Sequence, residues 1–245
     1  MTTNPVFPLP VLETAPLDPA FAGFLAQAAA EGNPPLESLP PAMARQIYRD
    51  MAGALALPAP PMASVQDLTF EGPAGLLALR TYAPEEEGTT PVPLLLYVHG
   101  GGFVIGDLQT HDSVCRTLCH HSRMKVVALD YRLAPEHPFP AAVDDVEAAL
   151  RWLGAHAAGL GGDAHRIAVA GDSAGGQLAL VAARRVAPAV AVRAIGLIYP
   201  VAQHYSEAGA SYAQNEGKFL TAGVMKWFTD SYLGGQGAAR NHPDF

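Results

Sequence analysis

Cysteine is nearly absent from this chain: among 245 residues only Cys115 and Cys119 occur. Four apart in an expected helix, their side chains run parallel on one face, so a disulfide would be strained and two buried thiols are expected instead. The sequence has no Cys-x-x-Cys pair and no His/Cys cluster at ligand spacing, and no metal is expected. Basic residues are few and unclustered, 15 Lys and Arg against 23 Asp and Glu. The resulting formal charge of −8 argues against nucleic acid or an anionic membrane surface as a partner. No apolar run reaches the length of a membrane span, and Met1 to Pro10 lacks a basic stretch followed by an apolar one, so the expected location is the cytoplasm. Apolar residues, by contrast, make up 49% of the chain, enough for a sizeable core.

Hydrophobic periodicity divides the chain. Helical spacing over Pro19 to Glu31 and Pro41 to Leu57, with Phe21, Phe24, Leu25 and Ala28 on one face, predicts a small helical piece that must lean on something else. Pro58-Ala59-Pro60-Pro61 ends it. Strand periodicity follows at Val65 to Phe70 and Leu76 to Tyr82, around the turn signal Glu71-Gly72-Pro73, and 85–90 is a charged connection. Strands and helices then alternate. The strands are Leu94 to Val98, Lys125 to Leu129, Arg166 to Ala170 and Ala194 to Tyr199; the helices are Thr110 to His121, Pro140 to His156 and Ala174 to Val186. This α/β pattern predicts a mostly parallel central sheet covered by helices on both faces. Residues 202–217 read as irregular. Thr221 to Leu233, with Val224, Met225, Trp227, Phe228 and Leu233, reads either as an ordinary packed helix or as a lid or pocket wall.

Two segments carry chemistry. In Gly171-Asp172-Ser173-Ala174-Gly175 a serine is flanked by small residues. Such turns recur for conformational reasons alone, but here a buried strand precedes and a helix follows, the setting of a nucleophile elbow. Ser173 is therefore the expected nucleophile, exposed at the carboxyl end of the sheet, where an open α/β sheet binds its ligand. The second segment, His99-Gly100-Gly101-Gly102-Phe103, directly follows the strand ending at Val98. Acyl transfer develops negative charge on a carbonyl oxygen, and fixed backbone N–H groups stabilise it where it forms. The expected oxyanion donors are the N–H groups of Gly101, Gly102 and Ala174, and His99 is expected to anchor the loop. A phosphate loop is the competing reading, but no Gly-Lys-[Ser/Thr] follows and no acidic residue is placed to hold a ribose.

These two segments, together with Asp130-Tyr131-Arg132-Leu133-Ala134-Pro135-Glu136, resemble in motif and order the bacterial hormone-sensitive-lipase-like carboxylesterases. The likeness covers nearly the whole chain. It implies an α/β-hydrolase fold and hydrolysis of short- to medium-chain acyl esters through a Ser-His-Asp triad, with no cofactor. It also implies a cap built from residues 1–60 and 202–235 over a core of 61–201, with 236–245 beginning an incomplete C-terminal core. Asp130 to Pro140 would be a loop buttressing the site, and within it Arg132 and Glu136 are expected to form a buried ion pair.

The sequence departs from the family in one respect. The triad acid and base follow the serine, in that order, on loops after later strands. Only His204 and His242 lie downstream of Ser173, and neither follows a strand with an acidic partner in place. Completing the pattern would take two more βα units of roughly 30 residues each, so a truncated member is expected. Its last strand would be an apolar sheet edge open to pairing, a route to a homo-oligomer. A non-catalytic, ligand-binding member is the alternative: the plant gibberellin receptors resemble the same family and lack the catalytic histidine.

Overall fold

A computed structural model describes residues 16–85, 91–207, 210–235 and 237–245. Residues 1–15 of the expected cap, most of the connection at 85–90, and residues 208, 209 and 236 lie outside this set. The chain opens with helices α1 (Pro19–Ala30) and α2 (Pro41–Leu55), each begun by a proline, whose missing N–H costs nothing in a first turn. Strands β1 (Ser64–Gly72) and β2 (Gly75–Ala83) pair as an antiparallel hairpin closed at Gly72 and Gly75. There follow β3 (Val92–Val98), α3 (Asp112–Ser122), β4 (Lys125–Asp130), α4 (Ala141–His156), β5 (Gly162–Asp172), α5 (Ala174–Val186) and β6 (Val192–Ile198). Beyond the sheet come α6 (Ala210–Asn215) and α7 (Ala222–Leu233). The segment 202–217, expected to be irregular, therefore contains a short helix. At six residues it falls below the length at which helical periodicity can be read.

The strands form one sheet in the order β1-β2-β4-β3-β5-β6. Four of its strands, β4, β3, β5 and β6, are parallel, and the hairpin adds an antiparallel margin through β2 and β4. The expectation of a mostly parallel α/β sheet is borne out. Strand β3 shows why. Its run Pro-Leu-Leu-Leu-Tyr-Val has no polar face; Leu94, Leu96 and Val98 enter one core with α4 and α5, whereas Leu95 and Tyr97 enter a second beneath α3. Cys115 and Cys119 belong to that second core as buried thiols outside any disulfide.

The chain leaves β3 in one direction to reach β4 and then crosses back over β3 to reach β5. Strand order reverses at β3, so the crevice above the carboxyl ends of β3 and β5 is where this topology places a ligand.

The expected Arg132–Glu136 pair does not form. Arg132 turns instead to Asp145 on α4, fully buried, and grips it through Nε and a terminal nitrogen at 2.9 and 2.7 Å. Glu136 points outward to Arg45 of α2 at 2.7 Å. A residue four along a loop has no fixed direction, whereas Asp145 sits in the first two turns of α4, facing the loop. Arg45 also donates to Val104 O and Ala134 O at 2.8 and 2.9 Å, and Arg49 is ion-paired with Asp107, so α2 is tied to the loops after β3 and β4.

Candidate active site

Ser173 stands between β5 and α5 with φ 51° and ψ −120°, a conformation that L residues rarely adopt. Its N–H donates to Ile198 O at 2.9 Å, while its carbonyl accepts from Gly176 N and Val201 N, both at 3.1 Å. The turn is thus held from β6 as well as from its own helix. Gly175 makes the geometry accessible: a Cβ there would overlap the carbonyl oxygens of Val98 and His99, so the start of α5 is pressed against the end of β3.

The Gly-rich loop lies directly alongside. Gly100 N–H donates to Asp172 Oδ1 at 3.0 Å, joining the residue before the serine to the loop after β3. Tyr97 OH donates to the same oxygen at 2.8 Å, and His111 Nε2 lies 3.4 Å from it. Burial alone would raise the Asp172 pKa; its partners His111, Tyr97 and the Gly100 N–H outweigh that and hold it below the usual carboxylate range. The role of Asp172 was not foreseen from sequence. The available signal was a carboxylate closing an apolar strand, which must find donors if it is buried.

His99 is the loop anchor expected of it. Its ring stacks on Tyr131 with centroids 4.3 Å apart, Nδ1 lies 2.8 Å from Gly100 O, and its carbonyl accepts from Tyr131 OH at 2.9 Å. Complete burial, followed by repulsion from His111, lowers its pKa to about 4. The folded pKa thus lies below the unfolded value of about 6.5. Between those limits the unfolded chain takes up a proton that the folded chain refuses, so stability is present above about pH 6.5 and lost as pH falls towards 4, with a limiting slope of about 1.4 kcal/mol per unit. Replacing His99 by Gln should flatten thermal stability measured between pH 7 and 4.5; an unchanged slope would assign the loss to other groups. Asp172 acts in the same sense at lower pH, since its unfolded carboxyl titrates near about 3.9.

Of the four residues expected to carry chemistry, Gly101 and Gly102 lie in the loop after β3, and Ser173 and Ala174 in the turn that abuts it. Among the described residues, the N–H groups of Gly101, Gly102 and Ala174 donate to no protein acceptor, and no hydrogen bond reaches Ser173 Oγ. His204 engages Ser206 at 2.7 Å, and His242 accepts from Asp244 N at 3.2 Å. Neither is brought to the serine. No three His, Cys, Asp or Glu side chains among the described residues converge as metal ligands would, and no described helix is long and apolar enough to cross a membrane.

Residues 95–245 match the family model described as the alpha/beta hydrolase fold. Esterase LipI of Mycobacterium tuberculosis is 49% identical over 142 residues, which are 58% of this chain and 43% of that protein. Ethyl acetate hydrolase of Pseudomonas putida is 36% identical over 203 residues, 81% of this chain and 64% of the relative. Among solved structures, a thermostable esterase from Pseudomonas putida ECU1011 superimposes with a TM-score of 0.88 at 31% identity, covering 95% of this chain and 73% of that one. The chain spans about half the length of the curated relatives it matches first.

Proposed function

The chain belongs to the alpha/beta hydrolase fold family, and from that membership we propose that it is a carboxylic ester hydrolase whose nucleophile is Ser173. The hydroxyl would attack an ester carbonyl and expel the alcohol, which takes up the serine proton, to give an acyl-enzyme that water then cleaves to the acid. The N–H groups of Gly101, Gly102 and Ala174 would hold the oxyanion. The observation that carries this reading is the strained serine between β5 and α5, beside a loop whose backbone donors are uncommitted among the described residues. Short- to medium-chain acyl esters are the proposed substrates. The esterase names of the relatives support the class, and one of them is an ethyl acetate hydrolase. Helices α1, α2, α6 and α7 would form a cap over the site, with Phe24 and Phe219 approaching to 6.3 Å between ring centroids across it. No cofactor is needed for this chemistry, and a cytoplasmic location is proposed.

One observation favours a second reading. A serine hydroxyl is a weak nucleophile until a base takes its proton, and no described histidine reaches Ser173. The chain would then hold an ester or acid under the cap without turning it over. A fluorophosphonate probe and a p-nitrophenyl ester separate the two. Phosphonylation of Ser173 with release of p-nitrophenol supports the hydrolase; binding without either supports the ligand-holding form.

We also propose self-association through β6. Among the described residues it is an edge strand, and Ile195, Leu197 and Ile198 are 37 to 42% exposed. A long apolar edge with unpaired backbone groups invites a second strand. Light scattering of this chain should show dimers or larger species that Leu197→Lys disperses; a monodisperse wild-type monomer would end the idea.

A further inference from the structure

The geometry points to α7 as the element that sets the shape of the Gly-rich loop: we propose that Phe228 and Tyr232 are positioning residues for its oxyanion donors. The inference rests on the reading of that loop as an oxyanion hole. Three consecutive residues there have positive φ: Gly101 at 119°, Gly102 at 58° and Phe103 at 66°. The glycines adopt such angles freely, but Phe103 carries a Cβ and is strained, and a strained residue persists only where its surroundings over-determine it.

Those surroundings come mainly from α7. The Phe103 ring stacks on that of Tyr232, with centroids 3.8 Å apart and planes 6° from parallel, and both are buried. Tyr232 is itself braced by Phe139, whose ring meets it edge-on at 5.7 Å and whose N–H donates to Tyr232 O at 2.7 Å. One turn earlier on the same face of α7, the Phe228 ring lies against Gly102 so closely that a Cβ at that position would overlap it. Phe103 O also accepts from Ala134 N at 2.9 Å, and Val104 O from Arg45 Nε at 2.8 Å. Two rings on α7 therefore pack against the loop, while two hydrogen bonds tie it to α2 and to the loop after β4. Displacing α7 would free Gly102 and Phe103 to relax, and the donors would swing with them.

The Tyr232 hydroxyl has no share in this. It is buried without a hydrogen-bond partner among the described residues, so the ring face alone does the holding. That property makes the proposal testable by substitution. The N–H groups of Val104 and Ile105 donate to Gly101 O at 3.0 and 2.9 Å, so their protection against hydrogen exchange reports the loop directly. Tyr232→Leu and Phe228→Leu should each speed exchange at Val104 and Ile105 by about 10-fold or more while the β3 and β5 amides keep their protection. Tyr232→Phe should match wild type. Unchanged protection at Val104 and Ile105 in Phe228→Leu would overturn the proposal, as would equal loss throughout the sheet; that variant decides if Tyr232→Leu fails to fold. The exchange measurement stands whether or not the chain is an esterase. If wild type is phosphonylated, the labelling rate should also fall about 10- to 100-fold in the leucine variants and not in Tyr232→Phe. A wild type that resists the probe counts against the nucleophile reading alone.

Discussion

Ser173→Ala is expected to abolish phosphonylation by a fluorophosphonate and to remove any p-nitrophenyl ester turnover above background. The probe bonds to an activated oxygen, and Ser173 is the hydroxyl that the elbow lifts to the carboxyl end of β5, beside uncommitted backbone donors. In enzymes with a full triad, removing the serine costs about 10⁶ in turnover, and the residual rate comes from the oxyanion hole and binding. The starting rate here depends on whether a base reaches the serine, so covalent capture at a single site is the sharper readout. Folding should be little affected, because alanine at φ 51° carries the same backbone strain as serine and the lost hydroxyl makes no hydrogen bond to a described residue. Capture that persists in the alanine variant would place the nucleophile elsewhere.

Asp145→Ala is expected to cost about 3 kcal/mol or more of folding stability, read from the midpoint of a urea titration. Asp145 is fully buried and accepts from the backbone N–H of Arg132 at 2.9 Å as well as from its guanidinium. Its loss strands a guanidinium that is only 20% exposed, with Ala141 O at 3.3 Å as its remaining partner. Breaking a buried pair from one side is far more damaging than replacing both members with apolar residues. Arg132→Met combined with Asp145→Met should therefore recover part of the loss. A single-variant cost below about 1 kcal/mol would show that water already reaches the pair. The consequence extends to the site, because the loop held by this pair supplies Tyr131 OH to His99 O and Ala134 N to Phe103 O.

Much of this was legible in the residues. Helix α5 spans Ala174–Val186, as its periodicity predicts, because Ser173 breaks the strand geometry immediately before it. The Gly-rich loop and the elbow were readable as motifs because each needs small residues at set positions. What resisted reading was direction. Arg132 and Glu136 share a loop and look like partners, yet they diverge to Asp145 and Arg45, contacts made by α4 and α2 arriving from elsewhere in the chain. Tyr232 lies within the helix expected over Thr221 to Leu233, where nothing in the sequence singles it out. Only packing shows its ring on Phe103.

The sequence by itself determined the alternation of strands and helices, the serine turn after β5 and the glycines after β3, because these depend on local periodicity and on which residues tolerate unusual backbone angles. The tertiary structure decided that Gly100 bonds to Asp172, that α7 lies on Gly102 and Phe103, and that neither downstream histidine meets Ser173. Those outcomes depend on contacts between residues up to about 130 positions apart, which are set by how whole elements bury their apolar faces against one another.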